Sequence, residues 1–218
     1  MRFVNIKNRQ FATVIYQFSL SFFNQYVQQI KHTKWNYHKW KGLTLMKDPM
    51  SLSIYMMMIQ DIKPKTILEF GTYDGGSALW MEDNMKSLSL DCEIHTFDIN
   101  QERIKLPKDS EIKSHKLDNY KIHEFIEQNR ILFDKLESPI LMIEDSHQNA
   151  KELIQAIDPF LRSGDYLIIE DTLDRKKYQD TIESEEGIKS MNYEVDTYYC
   201  DFWGTNNSWN INSIFKKI

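Results

Sequence analysis

Two short runs, "ILMI" at 140–143 and "YLII" at 166–169, are apolar at nearly every position, and this constrains the fold more than any other feature. A half-exposed strand or an amphipathic helix needs a polar face, whereas a run apolar on every side suits a strand buried on both faces of a sheet. Similar β-type runs occur at "TILEF" (66–70), "EIHTFDI" (93–99) and "EIKSHKL" (111–117), each separated from the next by enough chain for a helix or a crossover. Strands alternating with helices imply right-handed crossovers and a mainly parallel sheet covered on both sides. Near the end, "MNYEVDTYYCDF" and "SWNINSIFKKI" read as two strands joined by the turn-rich "WGTNNS", a closing antiparallel hairpin. The expectation is therefore an α/β domain over residues 49–218, with a seven-stranded, mostly parallel sheet.

Residues 1–48 read as an N-terminal helical extension and linker. Val14, Ile15, Phe18, Phe22, Tyr26 and Ile30 recur three or four apart, the stripe of a helix that packs on the domain or on another subunit, so a homo-oligomer is expected. The basic residues Arg2, Lys7 and Arg9 ahead of this stripe raise the question of a secretory leader. Gln17, Ser19 and Ser21 interrupt it, and it falls short of the ~20 apolar residues of a membrane span, so no leader and no membrane association are expected. A helix packed on the sheet is expected over "SLSIYMMMIQDI", with Pro49 in its first turn.

A net charge of -5 gives no electrostatic case for nucleic-acid binding. Cys92 and Cys200 have neither metal-ligand spacing nor the density of a disulfide scaffold, which suits a reduced cytoplasmic setting.

The stretch "ILEFGTYDGGSALW" (67–80) follows the first buried run and opens a helix, the place where open parallel sheets bind ligands. Three residues separate Gly71 from Gly75, where the dinucleotide fingerprint has one, and a phosphate loop would need a lysine after its glycine. Gly71 suits a backbone conformation closed to side chains, and Gly75 and Gly76 suit close approach of a ligand to the main chain. Thr72 and Ser77 complete the loop. Glu69, just ahead of it, would repel a pyrophosphate but hold an ammonium. Asp98, ending the next strand, can accept both ribose hydroxyls. Together they specify a nucleoside with an amino-acid tail, S-adenosylmethionine.

Two later strands also end in acids, Glu144–Asp145 and Glu170–Asp171, spaced by about what one helix and one return strand consume. Carboxylates that close repel unless neutralised, and an all-oxygen cluster selects Mg²⁺, Mn²⁺ or Ca²⁺, with Mg²⁺ the first choice. His147 stands beside this edge and suits proton abstraction near neutrality. Asp145 is either a ligand or, like Ser146, a cap for the following helix. Tyr198, Tyr199, Phe202, Trp203 and Trp209 either wall an acceptor pocket or belong to the core and hairpin.

"WKGLTLMKDP", "KPKTILEFGTYDGGSALW", "IEDSH" and "SGDYLIIEDT" together resemble the cephalosporin hydroxylase-like and rhamnosyl O-methyltransferase group of class I methyltransferases. At the metal site they are similar to macrolide-sugar O-methyltransferases. The resemblance implies a Rossmann-like fold, S-adenosylmethionine binding and metal-dependent methylation of a small-molecule hydroxyl. It implies that Glu69, Gly71, Gly75 and Ser77 line the methionine part of the cofactor and Asp98 the ribose, with Asp118 near the adenine. It further implies Glu144, Glu170 and Asp171 as metal ligands and His147 as general base. The group often shows Lys-x-Pro-x-Asp before its first long helix; here "KDPMS" puts Ser51 at the acidic position. A cofactor-binding protein without methyl transfer, or an enzyme alkylating nitrogen or carbon or closing a ring, is the alternative. Retention of the whole acid and histidine set argues against a protein that has lost catalysis.

Overall fold

The computed structural model describes residues 1–9, 38–172, 188, 191–206 and 208–218; the amphipathic stripe expected over 11–30 lies outside them. Five parallel strands form the centre: β4 (Thr66–Phe70), β5 (Glu93–Asp98), β6 (Lys113–Lys116), β7 (Ile140–Glu144) and β8 (Tyr166–Ile169). β9 (Tyr193–Asp196) and β10 (Ile214–Lys217) pair antiparallel, and β10 lies against β8. Among the described residues the sheet has eight strands rather than seven, because β1 (Phe3–Val4) adds to the free edge of β9. Arg2 fixes that edge strand by a forked pairing to the buried Asp196, with contacts of 2.9–3.1 Å.

Every residue of β4, β7 and β8 is buried, as runs apolar on both sides require. Burying one such Ile or Leu side chain stabilises the fold by roughly 1.5–3 kcal/mol. The strand order β9-β10-β8-β7-β4-β5-β6 reverses direction between β7 and β4. A crevice opens at such a reversal, beyond the carboxyl ends of the strands. The register puts Phe70 opposite both Phe97 and Glu144, and Glu144 opposite Ile169, so the acids that follow these positions gather on one edge.

Two departures from the expected elements have local causes. "TYYC" forms the helical turn α6 (Thr197–Cys200) instead of extending β9, because the Asp196 carboxylate accepts the Tyr198 amide at 3.1 Å and starts a turn. "SWNIN" is turn rather than strand, with Ser208, Asn210 and Asn212 buried among side chains. The link before the first long helix contains a small hairpin, β2 (His38–Trp40) and β3 (Leu43–Leu45). Helix α1 (Pro49–Ile62) begins with Asp48 accepting the amides of Met50 and Ser51 at 2.9 and 3.0 Å, with Pro49 in its first turn. Helices α2 (Gly76–Ser87), α3 (Ile122–Gln128), α4 (Arg130–Asp134) and α5 (Ala150–Ile157) supply the crossovers. None of the described helices is long and apolar enough to cross a membrane.

Candidate active site

The glycine loop leaves β4 and enters α2. Gly71 has φ +108°, and a Cβ there would sit 2.5 Å from the Asp145 carbonyl oxygen. Glycine at this position lets the end of β4 lie directly against the loop leaving β7. Gly75, at φ +99°, precedes α2 and, as glycine, offers no side-chain cap; the Gly76 amide donates instead to Asp74 Oδ1 at 3.3 Å. The space that Gly76 opens is filled by the hairpin: a Cβ there would meet the Thr44 carbonyl oxygen at 2.0 Å. Thr72 is buried against Thr96, 2.6 Å between hydroxyls.

Glu69 is wholly buried. Ser77 donates its hydroxyl to one carboxylate oxygen, and Thr96 donates to the other at 2.8 Å. Burial raises the Glu69 carboxyl to about 7, with the charge of Lys47 and the two hydroxyls opposing that rise. Asp98, at the end of β5, accepts the amides of Tyr73 at 3.0 Å and Asn100 at 2.8 Å, so the loop is tied to that acid. Asp118 stands beyond β6, where its carboxylate accepts the Tyr120 amide at 3.1 Å and caps a short turn.

The second group lies beyond β7 and β8. His147 Nε2 is 3.3 Å from an oxygen of Asp145 and 3.3 Å from one of Asp171. One ligand-type atom from each of the three lies within 4.8 Å of the others. Burial pulls the imidazole down, but the two carboxylates outweigh it and push it up to about 11. Without another cation present, His147 is thus charged at neutral pH. Both His147 (φ +54°) and Asp171 (φ +55°) sit in the left-handed region, a conformation that costs non-glycine residues of order 1 kcal/mol or more and clusters at functional sites.

The expected metal trio of Glu144, Glu170 and Asp171 is not what the geometry assembles. Only Asp171 faces the group. Glu144 turns back on its own loop, where one oxygen accepts the amides of Ser146 at 3.1 Å and His147 at 3.0 Å and the Ser146 hydroxyl. Its Oε2 is buried with no hydrogen-bond partner among the described residues, and burial raises its pKa. Glu170 accepts the Tyr55 hydroxyl and pairs with Lys47 at 3.0 Å. Asp145, which the sequence left between ligand and cap, is no cap: its other oxygen meets Lys47 at 2.5 Å, and Asn149 precedes α5.

Lys47 and Tyr55 went unrecognised as site residues in the sequence. Lysine is mostly exposed, yet Lys47 keeps only 5% of its surface. Burial lowers its pKa, and Asp145, Glu170 and Glu69 together raise it further than burial lowers it. The signal was electrostatic: carboxylates gathered on a buried edge require cations, and "KDP" supplies one just before α1. Among the expected pocket aromatics, Tyr199 is fully buried, its hydroxyl 3.0 Å from Asp61. Tyr198, Phe202 and Trp203 are about half exposed, and the Trp203 indole donates to Ser53 of α1 at 2.8 Å.

The sequence profile of the Rhamnosyl O-methyltransferase/CmcI family matches residues 32–192, nearly three quarters of the chain. The chain belongs to this family. Every residue of the two groups, from Lys47 to Asp171, falls inside the matched stretch, whereas Arg2, the aromatic segment from Tyr198 to Trp209 and β10 fall outside it. The chain is 26% identical over 147 residues to a rhamnosyl O-methyltransferase of Mycobacterium leprae, covering 63% of this chain and 62% of that protein. It is 24% identical over 156 residues to the rhamnosyl O-methyltransferase of Mycobacterium tuberculosis H37Rv, with 62% of each covered. The chain thus spans about three fifths of these relatives. A structure of CmcI with Mg and SAM superposes with a TM-score of 0.71 at 27% identity, covering 83% of this chain and 76% of that one.

Proposed function

We propose that this family member is an S-adenosylmethionine-dependent, divalent-metal-dependent O-methyltransferase whose acceptor is a hydroxyl of a small molecule, a sugar or another natural product. One observation carries the reading: the His147 imidazole lies between Asp145 and Asp171 on the same sheet edge as the glycine loop, with Gly71 packed against Asp145. The names of the similar proteins, rhamnosyl O-methyltransferases and a CmcI bound to Mg and SAM, support it.

The residues fit the cofactor. A buried carboxylate held by two hydroxyls, Glu69 with Ser77 and Thr96, suits the ammonium of the methionine tail. Among the described residues Asp98 pairs with no side-chain cation, and it is anchored to the loop through the Tyr73 amide, as a ribose-binding acid needs to be. Gly71 and Gly75 shape the turn, Thr72 and Gly76 pack it, and Asp118 borders the adenine end. Bound there, S-adenosylmethionine supplies a methyl group made electrophilic by its sulfonium.

The residues also fit a divalent cation. Asp145 and Asp171 are hard oxygen donors, and Mg²⁺ is commonly held by one or two carboxylates plus water and substrate oxygens; on the same loop, Glu144 Oε2 is a buried oxygen with no hydrogen-bond partner among the described residues. Such a cation supplies Lewis acidity toward the acceptor hydroxyl. A cation held there would offset the two aspartates that keep His147 protonated, and His147 Nε2 would then be the group placed to accept the hydroxyl proton. Glu144 holds the His147 backbone, and Asn119 donates to Ser146 and to the Gln148 carbonyl at 2.7 and 2.9 Å. The base is thereby positioned, and positioning supplies much of the acceleration. Tyr198, Phe202 and Trp203, the last of which donates to Ser53 of α1, offer flat apolar faces for the acceptor.

The test is methyl transfer from labelled S-adenosylmethionine to a panel of deoxysugars and phenols, with Mg²⁺ and with EDTA. Mg²⁺-dependent labelling of a hydroxyl is expected; turnover indifferent to EDTA would discard the mechanism, and binding without transfer to any acceptor would leave a cofactor-binding protein.

A further inference from the structure

Residues 201–213 link α6 to β10, and a side chain from the other end of the chain organises them. Arg9 spreads its guanidinium across Asp201, Asn206 and Asn212. Nη1 and Nη2 fork onto the Asp201 carboxylate at 2.8 and 2.6 Å, Nε donates to Asn212 Oδ1 at 2.8 Å, and Nη2 also reaches Asn206 Oδ1 at 3.3 Å. The partners are bonded to one another as well: Asp201 accepts the Asn206 amide at 3.1 Å, and Asn206 Oδ1 accepts the Asn212 amide at 3.1 Å. Asn206 and Asn212 are buried with φ +55° and +51°, a backbone that its surroundings must hold in place. A planar fork of donors suits this arrangement, and a lysine ammonium does not.

The same loop connects α1 with the end of β8. On one side the Tyr198, Phe202 and Trp203 rings meet edge to face in series, 5.9 and 5.1 Å between centroids, and the Trp203 indole donates to Ser53 of α1. On the other, the hydroxyl of Thr172, the residue after Asp171, lies 3.3 Å from the Trp209 carbonyl oxygen and 3.0 Å from that of Ile211. Asp201 immediately precedes Phe202, so the fork fixes the chain at the root of two half-exposed rings. We propose that Arg9 is a positioning residue for the acceptor, acting through Asp201 to hold the Phe202 and Trp203 faces against which an acceptor ring with an apolar face, such as a deoxysugar, docks. This inference rests on the O-methyltransferase reading above and deepens it. Arg9 and the loop both lie outside the stretch that the family profile matches, so acceptor binding here is governed by parts of the chain that the profile does not cover.

Steady-state kinetics of the full chain test it, with methyl rhamnoside, methyl fucoside and catechol as acceptor probes at saturating S-adenosylmethionine and Mg²⁺. For the probe that the unaltered chain methylates best, Arg9→Met should raise KM by ~10-fold or more and leave kcat within about threefold, the pattern of lost ground-state binding. S-adenosylmethionine affinity, read by calorimetry, should stay within about twofold, as expected of a separate site. Trp203→Ala should raise KM by a similar factor. Adding Arg9→Met to Trp203→Ala should then cost less than about twofold more, because changes acting through one element do not add. Fully additive losses overturn the proposal, since Arg9 then acts by another route. An unchanged KM in a folded Arg9→Met overturns it too, as does an equal loss of S-adenosylmethionine affinity, which makes Arg9 general support for the fold. If Arg9→Met does not fold, Arg9→Lys, which keeps the charge and loses the fork, takes its place in the same cycle. No transfer to these probes or to the rest of the panel above, by an unaltered chain that binds S-adenosylmethionine, is a separate outcome: it rejects the O-methyltransferase reading itself, and this role of Arg9 with it.

Discussion

Glu69, opposite Ile143 in adjacent strand β7, and Asp145, just past the end of that strand, stand on one sheet edge, yet their carboxylates are held by opposite means. Around Glu69 the partners are neutral: the hydroxyls of Ser77 and Thr96, with Asp98 nearby held by backbone amides. Around Asp145 the partners are charged, Lys47 on one oxygen and His147 on the other. Neutral partners hold a carboxylate in place without spending its charge, so the glycine-loop side remains an anionic receptor for a cationic ligand. Charged partners balance the acids, so the other side can accept a new cation only by displacing or relaxing one that is already there. The first region is suited to binding and the second to switching its protonation state.

The comparison is broken most severely at His147. His147→Ala should cut kcat by ~100-fold or more, the range for a general base, while S-adenosylmethionine affinity, read by calorimetry, changes less than about twofold. Comparable losses on both sides would mean that the two regions act as one.

Metal removal should give the next largest effect, and its pH dependence has a definite sign. With Asp145 and Asp171 left to His147 alone, the imidazole stays protonated up to about 11 and cannot take a proton at pH 7. Residual activity in EDTA should therefore climb nearly tenfold per pH unit between pH 7 and 9.5, whereas with Mg²⁺ the profile should flatten above the ordinary histidine range. A flat profile in EDTA would remove His147 from the base role.

Asp98→Ala should act on the opposite side only, weakening S-adenosylmethionine binding by about 10-fold through loss of hydrogen bonds to a charged acceptor with kcat at saturation little changed. A fall in kcat at saturating cofactor would contradict that division.

How much of this was legible depended on whether burial showed in the pattern. The central strands were, because 140–143 and 166–169 are apolar on both faces. β1 was not, since two residues carry no period, and its pairing depends on Arg2 meeting Asp196 from the far end of the chain. The acidic edge was legible as an edge, but not in its internal pairing. Glu144 ends its strand with its side chain committed to its own loop and Asp145 turns the other way, a choice made by backbone geometry after the strand stops. Lys47 was hidden because a lysine in a polar link reads as solvated; only the count of carboxylates around it reveals its use.

The smallest predicted effect tests whether the neutral environment of Glu69 exists for a ligand rather than for the fold. Its carboxyl is raised by burial from 4.5 to about 7, so the folded state favours the protonated form and stability falls as pH rises from about 4.5 through 7. Above that window both states are ionised, and the buried charge is a full cost to folding. Replacing it by the isosteric amide removes the charge while leaving an oxygen to accept from Thr96 or Ser77. Glu69→Gln should therefore make the cofactor-free chain more stable by ~1–2 kcal/mol at pH 8 and change it little at pH 4.5, as read by thermal unfolding at the two pH values. The same change should weaken S-adenosylmethionine by about 10-fold, since a neutral amide no longer answers an ammonium. A variant that is less stable at pH 8 would identify Glu69 as structural support for the loop, and the contrast between a receiving side and a charge-balanced side would lose its first half.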